Sequence, residues 1–166
     1  MQPVVVRVAR ADDAPGMAAV HVRSWQETYR GLMPDAVLDR PDAAQRRERW
    51  WRSAVTEGAE GTQSIAVAEH AGSIVGIASA GVPRDEDATW PLEVFVLYLL
   101  ADFHGSGAGA RLLDAIVDDS PAALWVADGN ARARAFYRKH GFRPDGSVKD
   151  DGVAAIRMVR AAATLT

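Results

Sequence analysis

Cysteine is absent from the 166 residues. Disulfides, thiolate metal sites and cysteine nucleophiles are excluded with it. No apolar run is long enough to cross a membrane. The opening MQPVVVRVARADDAPG carries arginine and aspartate early and does not read as a signal peptide. A cytoplasmic protein without a membrane partner is expected. An excess of positive charge is also missing. The formal net charge is -3, which argues against broad nucleic-acid binding. No repeat, low-complexity segment or linker divides the chain, so one domain over residues 1–160 with a loose tail at 161–166 is expected. What remains is an ordinary globular composition, 48% hydrophobic and 25% charged, long enough to bury a core.

Hydrophobic periodicity sets the elements. VVVRVA reads as a strand from Val4 to Ala9, followed by a helix cap at Asp12. Met17, Val20, His21, Trp25, Thr28 and Leu32 recur at helical spacing. Gly31 and Pro34 break that helix, and a short helical piece spans Pro34 to Leu38. DAAQRRERWWRSAV gives a second helix with Asp42 as its cap. SIAVAEHAGSIVGIASAG is two apolar runs joined by HAGS, a hairpin. LEVFVLYLL is a buried strand whose only charged residue is Glu93. A glycine loop and a helix from about Gly107 to Val117 follow, then the strand AALWVAD. NARARAFYRKHG is a helix capped by Asn130 and ended by Gly141. A final hairpin turns at Asp151-Gly152. This order implies a mixed α+β fold with a mostly antiparallel sheet and one parallel crossover within residues 92–126.

The stretch ADFHGSGAGARLLDAI, residues 101–116, carries the strongest local signal. Gly105, Gly107 and Ala110 match G-x-G-x-x-A, and Asp128 lies about twenty residues on, as a dinucleotide fingerprint requires. Three facts oppose that reading. LADFH separates strand from glycines, the loop follows four candidate strands rather than one, and too little chain remains to complete the domain. No Gly-Lys-Ser/Thr follows, and Ser106 is not flanked by glycines at the spacing of a nucleophile elbow. Alternating glycines are costly for a plain turn, so a pyrophosphate cradle formed by backbone N–H groups at a helix start is the favoured reading. Arg111 reads either as a solvated side chain or as a neighbour of that phosphate.

LEVFVLYLLADFHGSGAGARLL resembles the acetyl-CoA-binding core of the GNAT superfamily of N-acetyltransferases. Glu93, the Leu97-Tyr98-Leu99 end and Gly107-x-Gly109 fall in register with it. NARARAFYRKHGFRPDG is similar to the second family signature through Asn130, Phe136, Tyr137, Gly141 and Phe142. SWQETYRGLMPDAVLD resembles the first-helix region of a bacterial branch. His104 stands where arginine or glutamine is usual, Ala101 where proline is, and Leu99 where valine is.

The resemblance implies a GNAT-like central sheet with a splayed parallel pair, flanked by helices. It implies acetyl transfer from acetyl-CoA, as co-substrate and without a metal, to a primary amine of a small molecule or peptide by direct attack. An ammonium must lose a proton before it attacks, and Glu93 is the candidate base. Tyr137 is the candidate acid for the leaving thiolate. Leu97, Tyr98 and Leu99 would pair with the cofactor amides and supply an oxyanion N–H. His104, Gly105, Ser106, Gly107, Ala108, Gly109 and Ala110 would hold the pyrophosphate, with Asn130 facing the cofactor. The stripe His21, Trp25, Tyr29 lies on the helix that walls the acceptor cleft, and Trp25 and Tyr29 are the candidate substrate residues. Asp85, Glu86 and Asp87 read either as a solvated acidic loop or as a second way to draw a cationic amine. Arg132, Arg134, Arg138, Lys139 and Arg143 form a basic segment that suits a polyanion or a solvated face. A homodimer is compatible with such a fold. The competing readings are a non-catalytic acyl-CoA-binding module and a dinucleotide-binding protein.

Overall fold

Alternating apolar runs need a sheet to bury them, and the computed structural model, which describes residues 2–58, 61 and 63–162, builds one of seven strands. The elements are β1 Val5–Val8, α1 Ala14–Tyr29, α2 Asp35–Leu38, α3 Ala43–Gly58, β2 Gln63–His70, β3 Ser73–Gly81 and β4 Leu92–Leu99. They continue with α4 Ala108–Val117, β5 Ala122–Ala127, α5 Ala131–Lys139, β6 Arg143–Asp150 and β7 Ala154–Arg160. The spatial order is β1-β2-β3-β4-β5-β7-β6. Every neighbouring pair is antiparallel except β4–β5. The expected order and the single parallel crossover are present. Of the expected tail, residues 163–166 lie outside the described residues. No helix of the described residues is long and apolar enough to cross a membrane.

The sheet separates two apolar clusters. On one face, Leu112, Leu113 and Ile116 of α4 pack with Tyr137 of α5, Phe142, Leu124 and Met158. On the other, Met17 and Val20 of α1 pack with Trp51 and Val55 of α3, Val67 and Ile77. The turn of the first hairpin needs two residues at positive φ, Ala71 at 51° and Gly72 at 82°, the signature of a primed two-residue turn. Asn130 caps α5 as expected: its Oδ1 accepts from the Ala133 N–H at 3.1 Å.

Two expected caps take other partners. At the start of α1 the organising aspartate is Asp13, not Asp12. Asp13 accepts two bonds from the Arg7 guanidinium, both 2.8 Å, and one from the Arg10 N–H at 2.7 Å. That pairing holds the Asp13 carboxyl below its ordinary pKa. Asp42 accepts the Arg46 N–H on its backbone carbonyl, but its carboxylate turns to Arg40 at 2.8 Å. An arginine within reach outcompetes a neutral amide for a carboxylate.

The acidic loop between β3 and β4 is locked to the sheet. Arg157 of β7, 6% exposed, donates to Asp85, Asp87 and Asp145 at 2.7–3.1 Å. Trp125 Nε1–H adds a bond to Asp85 at 2.9 Å. Asp85 and Asp87 are therefore tied to Arg157, although one guanidinium offsets only one of the three aspartate charges it binds. Arg111 likewise reaches neither solvent alone nor the glycine loop. It donates to the Val4 carbonyl at 2.7 Å and ties α4 to the chain before β1.

Removing Arg157 strands several carboxylates at once, and Arg157→Met is expected to lower unfolding free energy by about 3 kcal/mol or more in urea titration. A second expectation concerns pH. His21 is 3% exposed and accepts a hydrogen bond from Trp51 Nε1–H at 3.1 Å. Burial first, and then the charge of Arg47, push its pKa down to about 3. An unfolded histidine takes up a proton near pH 6.5 while the folded one stays neutral. Stability is then complete above that pH and falls as acid is added, by up to about 1.4 kcal/mol per pH unit. Urea midpoints between pH 7 and pH 4.5 should decline in the wild type and decline less steeply in His21→Phe. The slope that remains includes His140, whose pKa burial also lowers.

Candidate active site

β4 and β5 begin as partners and then part. They share the register pairs Leu92–Ala122, Glu93–Ala123 and Val94–Leu124 and none beyond. β3 opposes Val94 with Ala80 and Val96 with Ser79, so Phe95 is an extra, bulged residue. A bulge bends its strand and increases its twist, and here it carries the end of β4 away from β5. It also breaks the facial alternation. Val94 packs on the α4 side, whereas Val96 packs on the α1–α3 side. The outer edges stay held: β3 pairs β4 as far as Leu99, and β7 pairs β5 as far as Ala127. The inner edges from Phe95 and Trp125 onward have no ladder partner. Between them opens a cavity of about 770 Å³.

The glycine loop closes one end of it. Gly105 and Gly107 sit at φ 82° and 85°, and a Cβ on either would meet nothing within 4 Å. Backbone conformation, not crowding, demands glycine there. Gly109 has another reason: a Cβ would lie 3.3 Å from the Phe136 ring of α5. Ser106 Oγ accepts from the Ala108 N–H at 3.3 Å. The Gly109 and Ala110 amides, in the first turn of α4, have no carbonyl to reach within their own helix. His104, Gly105, Gly107, Gly109 and Ala110 line the cavity, while Ser106 and Ala108 do not, Ala108 being fully buried. The His104 ring nitrogen Nε2 lies 2.9 Å from the Leu99 carbonyl. That bond braces the loop against the end of β4.

All three tyrosines of the chain line the cavity. Tyr98 points to the α1 side, where Trp25 Nε1–H donates to its hydroxyl at 2.9 Å. It is expected among the cofactor-binding residues, and its backbone edge has no ladder partner on the β5 side. Tyr137, 7% exposed, reaches the cavity from α5, one face with Asn130. Burial raises the pKa of Tyr29, Tyr98 and Tyr137, so each hydroxyl keeps its proton at neutral pH. Leu97, Leu99 and Asn130 line the cavity as expected.

Three expected residues stand elsewhere. Glu93 is 6% exposed on the α1-facing side of β4, just before the bulge. Its Oε1 accepts from the Arg84 N–H at 2.9 Å, and it does not line the cavity. Its neighbours Val94 and Phe95 do. His21 and Trp25 turn toward α3 and line a second, smaller pocket instead. The α1 residues that face the cavity are Ser24, Glu27, Thr28 and Tyr29, with Leu32 just beyond the end of the helix. Glu27 is the one carboxylate lining the cavity among the described residues, and Arg23 pairs with it at 3.0 Å. The spacing i, i+3, i+4, i+8 in SWQETYRGL carries that signal. The aromatic stripe His21, Trp25, Tyr29 is more conspicuous, and of its three residues Tyr29 lines the cavity. Of the basic segment, Arg132 and Lys139 line the cavity, whereas Arg134 pairs with Asp128 at 3.1 Å and Arg143 donates to backbone carbonyls.

The open strand edge, the uncrowded glycines and the orphan amides fit a long ligand with amides along its length and an anion at one end. A doubly wound parallel sheet, which a dinucleotide site requires, is not what these strands form. Comparison with known proteins agrees. Residues 25–142 match the model of the acetyltransferase (GNAT) family. The chain is 29% identical to the probable N-acetyltransferase Rv2775 of Mycobacterium tuberculosis, over 85% of this chain and 80% of that protein. It is 33% identical to the uncharacterized N-acetyltransferase YuaI of Bacillus subtilis, over 84% and 67%. The fold is similar to that of PaiA N-acetyltransferase from Thermoplasma acidophilum, solved in complex with coenzyme A. The TM-score is 0.74 at 17% identity, covering 93% of this chain and 97% of the other. With the family match spanning the splayed strands, the glycine loop and α5, the chain belongs to the GNAT family of acetyltransferases.

Proposed function

We propose that this acetyltransferase moves the acetyl group of acetyl-CoA to a primary amine of a small molecule or peptide by direct attack. The observation that carries the reading is the ladder break after Val94 and Leu124. It leaves the β4 edge at Leu97–Leu99 free to pair with the amides of an extended cofactor arm, in line with the glycine loop. The Gly107, Gly109 and Ala110 amides and the positive end of α4 would receive the pyrophosphate. Arg132 and Lys139 add cationic charge to the cavity lining. The fold neighbour crystallised with coenzyme A supports the choice of cofactor.

The amine would enter from the α1 side. Glu27, at the exposed margin, favours a cationic acceptor. Glu93 lies deeper, one strand position from the cavity wall, with one oxygen left over from its bond to Arg84. It would take the ammonium proton through a water, since it does not itself line the cavity. An N–H of the bulged β4 edge would stabilise the charge that builds on the acetyl oxygen. Tyr137, kept protonated by burial, would donate to the departing sulfur.

Acetyl-CoA at about a hundred times its Kd should add about 2.7 kcal/mol of stability, read as a thermal shift. No shift would remove the proposal. With an amine acceptor found by CoA-thiol release, Glu93→Gln and Tyr137→Phe should each lower kcat by about a hundredfold while cofactor binding persists. Full turnover in both would withdraw their roles, and binding without turnover on any amine would favour the acyl-CoA-binding module. Glu27→Gln should instead raise the acceptor KM by up to about fivefold with kcat retained.

A further inference from the structure

We propose that the second pocket, between α1, α2 and α3, is a binding site for a small carboxylate with an apolar body. The pocket has a volume of about 310 Å³ and shares no lining residue with the transfer cavity. Arg40, Arg46 and Arg47 line it, and no carboxylate does. Arg40 is already occupied by Asp42, at 2.8 Å. Arg47 is half-buried, its guanidinium lying 5.5 Å from the Trp25 ring and 5.8 Å from the Trp50 ring. Among the described residues it has no hydrogen bond or ion pair. Other arginines drawn into the protein are all answered by oxygen: Arg7 by Asp13 and Glu69, Arg157 by three aspartates, Arg160 by the Ser120 and Asp118 carbonyls.

A cation withdrawn from water without an anion is costly. Two indole faces recover part of that cost. They leave the guanidinium N–H fork, a planar array matched to a carboxylate, without acceptors. Burial lowers the Arg47 pKa, consistent with this lack of compensation. Beyond the fork the walls are apolar, from Val22, Val37, Leu38 and Ala43. Val37 and Trp50 stand exposed at 49% and 39%. The volume is at the lower end for small-molecule sites, which suits an aryl or branched aliphatic acid better than a nucleotide. Trp25 places the occupant one side chain from the transfer cavity, because its Nε1–H is bonded to Tyr98.

Isothermal titration of the full chain with phenylacetate tests the site, with phenylacetamide and inorganic phosphate as comparison probes at constant ionic strength. Phenylacetate should bind saturably and raise Tm. Phenylacetamide, which lacks the charge, should bind at least about tenfold more weakly, and Arg47→Met should weaken phenylacetate by a similar factor. Arg47→Lys keeps the charge and loses the fork, so it should also weaken binding. Saturating coenzyme A should leave phenylacetate affinity unchanged. The proposal is overturned by absence of saturable binding to the wild type, or by undiminished binding to Arg47→Met. If that variant does not fold, undiminished binding to Arg47→Lys overturns it equally. Competition by coenzyme A would place the anion in the transfer cavity instead. Phosphate binding tighter than phenylacetate would overturn the assignment to a carboxylate.

Discussion

The three-pair limit of the β4–β5 ladder governs the molecule. Strands of eight and six residues could pair further if both remained regular. Phe95 prevents it by adding a residue to β4 that β3 does not match. Because β3 and β7 hold the outer edges, neither strand is free to swing back and close the gap. Open backbone groups in a sheet interior need partners from elsewhere. A ligand or water must supply them, and the cavity is thus a consequence of the register.

The two walls of that gap differ in chemistry. On the α4–α5 side the chain offers amides, uncrowded glycines and exposed cations, which suits a polyanion. On the α1 side it offers Tyr29, Tyr98 and Thr28 with the single carboxylate Glu27. The aromatic groups there are fixed in series: Trp51 to His21, and Trp25 to Tyr98. Neutral His21 and protonated tyrosines let this wall be buried without stranding a charge. Arg47 is the exception.

The loop 82–91 shows how strongly long-range charge pairing can reassign residues. Its carboxylates have the composition of a cation trap. Arg157, some seventy residues later in the chain, uses Asp85 and Asp87 to bury its own guanidinium. The loop is thereby fixed beside Trp125, and part of its negative charge is offset by an internal partner.

Local chemistry was legible in the chain alone. The element order, the parallel crossover, the HAGS hairpin and the Asn130 cap each depend on a few neighbouring residues. So does the glycine loop, whose five-residue connector by itself argues against a dinucleotide site. Only the tertiary structure decided which face of α1 meets the cavity, where the Glu93 carboxylate rests, and that His104 braces Leu99. The same holds for the division of labour among the glycines, two for positive φ and one for the approach of Phe136. These depend on which elements pack together and on a one-residue bulge. Spacing encodes the periodicity of a helix or strand. The competition among distant donors, acceptors and side-chain volumes selects the face and partner of each residue, and it is resolved only when the chain is folded.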